Sequence, residues 1–223
     1  MPMQEVGPPN RPISPQPEGQ ASFRAVCGVA LLAYSGAIGS APRLSAHPEK
    51  AAAWPQLDRE QALKGGGQVI LIRHALTTPG VGDPEGMTLG DCSTQRNLND
   101  EGRAHARQLG DAFRTRGVAV GRVLSSPWCR CTETAQLVFG KAPELLPALG
   151  NLFGRPELAA RQVAELKPLV SQLPAGGNAV LVSHGSTILA LTGISPGTTE
   201  MVVLTPQGGG RFTVAGRLTA HRP

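Results

Sequence analysis

With 223 residues, 40% of them hydrophobic, the chain is long enough to bury one core and to carry a modest extension. Its formal charge of +5 is spread along the sequence, and only 4% of residues are aromatic. No basic run interleaved with aromatics results, which argues against a nucleic-acid surface, whereas a small anionic substrate suits the same balance.

Residues 1–22 are rich in Pro, Gly, Gln and Ser and are expected to be disordered. Arg24 then precedes a moderately apolar stretch, residues 25–41, that closes in small residues, the pattern of a secretory signal with a long leading region. Cleavage is expected after Ala41 or Ala46, and Pro42 favours the later site. The stretch is too short and too rich in Gly and Ser for a stable membrane span, which needs about 20 apolar residues. The expected organisation is a leader with signal over 1–46, a linker with a short helix over 47–66, and a folded domain over 67–223. The expected location is exported, periplasmic or secreted, or cytoplasmic if residues 25–41 are not a signal. Cys27 would leave with the signal, so Cys92, Cys129 and Cys131 remain. They point to one bridge between Cys92 and either member of the Cys-x-Cys pair, with one thiol left over. No CxxC or HxxxH spacing accompanies them, so a metal site is the weaker reading.

The glycines Gly65, Gly66 and Gly67 precede a strand, whereas a phosphate-cradling loop follows one. That strand, Val69 to Ile72, is a continuous apolar run of the kind buried on both faces of a parallel sheet. It ends in Arg73-His74, where open α/β sheets bind their ligands. Residues 78–91 lack periodicity and form a long loop over the strand end. Asn99 reads as the N-cap of a helix with Asp100 and Glu101 in its first turn, Ala104, Leu109, Ala112 and Phe113 as its core stripe, and Gly117 as its stop. Val123 to Ser126 is a second strand. Pro127 suits the first turn of the next helix, which runs to Gly140 and carries Arg130 near its amino terminus, an end that favours anions. Residues 145–153 are ambiguous between edge strand and loop. Residues 156–173 read as a helix with Leu158, Val163, Leu166 and Val170 on one side. Residues 179–183 form a third buried strand ending in His184-Gly185, and 200–205 with 211–218 form a closing pair of edge strands. The alternation of strand and helix makes the fold α/β.

Four segments, Leu71 to Thr77, Asn97 to Gly102, Leu124 to Arg130 with Thr134-Ala135, and Leu181 to Gly185, together resemble the histidine phosphatase superfamily over residues 67–206. The resemblance is nearest to small exported members with the segment Cys92-Ser-Thr-Gln-Arg96. It implies a three-layer α/β/α sandwich with a mostly parallel central sheet, as in phosphoglycerate mutases. By the same resemblance His74 is the nucleophile, Arg73 and Arg130 bind the phosphoryl oxygens, and His184 completes the pocket. Thr77, Ser186, Gln95 and Arg96 become substrate contacts. The implied partner is a small phosphorylated substrate, with no cofactor and no metal; oligomeric state is not indicated. The implied reaction is metal-independent phosphomonoester hydrolysis through a phosphohistidine, with mutase-type transfer or a non-catalytic anion-binding domain as alternatives. The chemistry stands on its own terms: phosphoryl transfer requires positioning and neutralisation of charge on the equatorial oxygens, and guanidiniums supply both.

Three departures from the family pattern bear on this. Ala75 stands where glycine usually follows the nucleophile, and Ala tolerates the position if φ is negative. Gly80 stands about where mutase-type members have asparagine. No acidic Leu-x-Glu segment supplies a proton donor; Asp83, Glu85, Asp91, Glu157 and Glu200 read as solvated or structural. His47, His105 and His221 read as surface residues.

Overall fold

A computed structural model describes residues 56–219. The expectations for the leader and signal over 1–46, for Cys27, for His47 and for His221 fall outside the described residues.

Six strands form one sheet: β1 (Val69–Arg73), β2 (Val120–Ser125), β3 (Glu144–Leu145), β4 (Asn178–Ser183), β5 (Met201–Pro206) and β6 (Phe212–Leu218), in the order β3-β2-β4-β1-β5-β6. The first four are parallel, and β5 and β6 close the far edge antiparallel. The ambiguous 145–153 region resolves into the two-residue strand β3, a 3₁₀ turn at Pro147–Leu149 and a loop.

Among the described residues, five helices cover both faces: α1 (Gln56–Gly65), α2 (Asp100–Thr115), α3 (Cys129–Phe139), α4 (Ala159–Val170) and α5 (Gly185–Thr192). Alternation along the strands decides which face each residue serves. Ile70, Ile72, Val180, Val182, Met201 and Val203 join α2 and α3 in one core. Their neighbours Val69, Leu71, Leu181, Val202 and Leu204 join α4 and α5 in the other. The result is a three-layer α/β/α sandwich whose inner strands are buried on both faces, which is why they read as unbroken apolar runs.

Three elements differ from the sequence expectations. The buried side of α2 runs through Gly102, Ala106, Leu109, Gly110 and Phe113, while Ala104 is exposed. Glycines define this contact: a Cβ on Gly110 would come within 2.5 Å of the Val138 carbonyl of α3. Helix α3 begins at Cys129 with Trp128 as its cap, so Pro127 lies before its first turn. Helix α5 follows directly on His184 and was not anticipated; its eight residues are too few for a periodic stripe to stand out.

Candidate active site

The parallel register of β1 against β4 builds the centre. Arg73 pairs with Ser183, so the next residue on each strand, His74 and His184, emerges at the same level of the sheet's carboxyl edge. The His74 amide donates to the Ser183 carbonyl at 2.9 Å, and the two imidazoles meet edge to face with centroids 5.3 Å apart. On the other side of β4, Ser125 pairs with Val182, and the chain then enters α3, whose second residue is Arg130. Two strand ends and one helix start thus bring together residues more than 50 positions apart in sequence.

Both rings have defined tautomers. His74 donates from Nδ1 to the Ala75 carbonyl at 2.8 Å, which leaves the Nε2 lone pair free to attack. Ala75 is fully buried, has a non-positive φ, and its amide donates to Thr134 Oγ1, so alanine fits where the family pattern has glycine. At His184, a guanidinium can only donate, so Nδ1 is the acceptor facing Arg130 Nη2 at 3.5 Å. Its Nε2–H therefore donates to Ser126 Oγ at 2.8 Å. Burial lowers the His74 pKa to about 3, with Arg130, Arg73 and Arg96 adding repulsion. Burial also holds His184 well below the ordinary histidine range, and the same guanidiniums contribute. Both imidazoles are neutral at physiological pH. Cys131 Sγ lies 3.5 Å from His184 Nε2, and its thiol, pushed up to about 12 by burial, stays protonated.

Three guanidiniums line the cavity of about 420 Å³ above these rings: Arg73, Arg96 and Arg130. Arg73 donates to the Pro196 carbonyl and Arg96 to the Gly80 carbonyl, each through Nη1. Arg130 is only 1% exposed and forms a two-pronged ion pair with Asp83. Asp83 also accepts from Trp128 Nε1 and the Arg96 amide. Burial alone would raise the Asp83 pKa, but the Arg130 hydrogen bonds outweigh it and keep the carboxylate ionised. Among the described residues, five buried side-chain polar atoms lack a protein partner, and three of these are the Nε atoms of Arg73, Arg96 and Arg130. With three guanidiniums and, among the described residues, no carboxylate lining it, the cavity is suited to an anion.

Of the residues anticipated from sequence, Arg73, His74, Arg96, Arg130, His184 and Ser186 line this cavity. Ser186 bonds Asn151 Oδ1 and the Leu152 amide. Thr77 and Gln95 do not line it. Thr77 is buried and bridges to Leu98. The Gln95 side chain donates to the Thr88 carbonyl and accepts from the Cys129 amide, so it fastens the loop to the start of α3. The Cys92–Cys129 disulfide makes a second tie at the same point and leaves Cys131 as the free thiol. Ser126 and Asn151 are not among the anticipated residues, and Asp83, read as solvated or structural, is structural, although its pairing with Arg130 is not foreseen. Ser126 carried a signal, a hydroxyl at a strand end beside the recognised Leu-Ser-Ser-Pro; Asp83 carried none. Glu200 is structural, pairing with Arg217 and accepting from the Gly197 amide.

Residues 69–152 match the histidine phosphatase superfamily (branch 1). That segment includes Arg73, His74 and Arg130, while His184 reaches the site from outside it through β4. No curated protein matches the sequence. Among solved structures, the product of an open reading frame of Mycobacterium tuberculosis is 18% identical, covering 69% of this chain and 98% of its own, with a TM-score of 0.53. A candidate alpha-ribazole-5'-P phosphatase from Escherichia coli is 17% identical, covering 69% of this chain and 97% of its own, with a TM-score of 0.51. The protein histidine phosphatase SixA, complexed with tungstate, is 20% identical over 69% of this chain and 97% of its own, with a TM-score of 0.48. At these identities the likeness is one of fold.

Proposed function

We propose that this chain is a histidine phosphatase that hydrolyses phosphomonoesters through a phosphohistidine on His74, without a metal. The observation that carries the reading is the convergence of a neutral imidazole having a free Nε2 with three guanidiniums that line the same cavity. With both imidazoles neutral, three guanidiniums against the Asp83 carboxylate leave two positive charges, the match for a phosphomonoester dianion.

In the first step His74 Nε2 forms the bond to phosphorus while the bond from phosphorus to the alcohol oxygen breaks. The arginines hold the equatorial oxygens, where charge accumulates. Burial is the main cause that keeps His184 unprotonated, with repulsion from His74 and the guanidiniums adding to it; a bound dianion offsets that repulsion, and the proton that His184 takes up on binding passes to the leaving oxygen. In the second step water attacks phosphorus, returns that proton to His184, and the phosphorus–nitrogen bond breaks to release phosphate. Asp83 is held ionised by its donors and serves to position Arg130. Export, proposed from residues 25–41, gains support from the Cys92–Cys129 bridge, since disulfides persist in oxidising compartments.

The test is hydrolysis of phenyl phosphate in EDTA. The reading predicts turnover by the wild-type chain and none by His74→Ala with an unchanged circular-dichroism spectrum. Phosphate binding without turnover in the wild type would favour the anion-binding alternative.

A further inference from the structure

Resting on the phosphatase reading, we infer that the substrate's organic part is apolar and uncharged: an aryl or alkyl phosphate, rather than a phosphorylated acid or a bisphosphate. The cavity has two unlike halves. Its floor holds the imidazoles and guanidiniums. Its mouth is framed by Val81, Phe153 and Leu189, which are 86%, 58% and 46% exposed. Single exposed apolar residues are ordinary. Here three of the seven large exposed hydrophobics among the described residues surround one opening. Clustered apolar surface of this kind marks a binding site.

The mouth is also preformed. The Phe153 amide donates to Asn151 Oδ1, the same oxygen that accepts the Ser186 hydroxyl, which fixes the backbone carrying the ring. The facing wall is the Gly80–Gly82 turn, and a Cβ on Gly82 would sit 3.8 Å from the Phe153 ring, in ordinary contact. Among the described residues, no Asp, Glu or Lys lines the cavity. Among the described residues its only ionised side chains are the three arginines, and each already has at least one commitment, to Pro196, Gly80 or Asp83. A second anionic group on the substrate would compete with the phosphoryl group for these same arginines. An ammonium group would find no lining carboxylate. The volume, about 420 Å³, takes a phosphoryl group and an organic group of modest size.

Direct binding of phosphonates, measured by calorimetry, tests this without confounding from the leaving group. In the series methyl-, propyl- and pentylphosphonate, affinity should rise about two- to threefold per methylene as each becomes partly buried. 3-Phosphonopropionate, with its added carboxylate, should bind no more tightly than methylphosphonate. The chain-length slope should flatten in Phe153→Ser and in Leu189→Ser. A flat series in the wild type, or tighter binding of 3-phosphonopropionate, overturns the inference even where phenyl phosphate is hydrolysed. A rising series with no hydrolysis of phenyl phosphate keeps the apolar mouth as a ligand site and overturns the phosphatase reading instead.

Discussion

Asp83 holds Arg130 by both terminal nitrogens, from a loop position 47 residues away in sequence. The guanidinium is almost wholly buried and the carboxylate nearly so. Removing one partner of such a pair leaves an uncompensated charge and typically costs about 3–5 kcal/mol. Asp83→Ala is therefore expected to lower the thermal midpoint clearly and to reduce kcat/KM at least tenfold, because Arg130 loses its orientation. Differential scanning calorimetry with steady-state kinetics checks both; an unchanged midpoint would show that the pair is not a structural tie.

Reduction of the Cys92–Cys129 bridge should act on the same region. The bridge closes a sequence separation of 37 residues and ties the loop carrying Arg96 to the residue before Arg130. Chain-entropy reasoning assigns such a closure about 3–4 kcal/mol. Cys92→Ser should lose stability on that order and raise KM for phenyl phosphate more than it lowers kcat, since two of the anion's three arginines, Arg96 and Arg130, are loosened relative to each other. Equal Tm values in oxidised wild type and Cys92→Ser would contradict this.

Gly102 reaches the site by packing alone. A Cβ there would lie 1.9 Å from the Leu76 carbonyl, two residues beyond His74, and that carbonyl also accepts from the Asn99 amide. Backbone must move to admit even one methyl group. Gly102→Ala should destabilise by about 2–4 kcal/mol, within the range of overpacking and backbone-strain mutations, and should lower kcat with little change in fold. A silent Gly102→Ala would mean that the 75–77 turn is free to shift.

The histidines fix the expected pH dependence. Both have folded-state pKa values below the unfolded value, His74 at about 3. Between about pH 3 and about pH 6.5 the unfolded chain binds more protons than the folded one, so stability rises with pH across that window and levels off above it. Thermal midpoints measured from pH 4 to pH 8 should climb and then flatten, and the climb should be shallower in His74→Asn. Asp83, with its depressed pKa, contributes stability that is lost only as pH falls below the ordinary carboxylate range. A midpoint that fell between pH 5 and pH 7 would contradict the neutral assignment of the rings.

The elements that carry chemistry at strand ends were legible because a buried apolar run that stops at a charged or titrating residue is an unusual pattern. Arg73-His74 and Ser183-His184 both announced themselves this way, and the sheet register then brought them together. Asp83 was not legible, since its partner is fixed by how a Gly-rich loop folds back and not by any local period. The disulfide partner was undecidable for a related reason. Cys129 and Cys131 point to different sides of a helix, and which faces the loop depends on where α3 begins. Helix α2 was found, but its buried face was misjudged at Ala104 because glycines, which have no hydrophobic signal, make its closest contacts.

The most direct test of the account is rapid mixing of the enzyme with phenyl phosphate, a quench in base where phosphohistidine survives, and intact-mass and peptide analysis of the chain. The account predicts a mass gain of one phosphoryl group, located on the peptide containing His74 and absent in His74→Ala. Turnover with no phosphorylated chain at any mixing time, or a phosphoryl group on another residue, would contradict it.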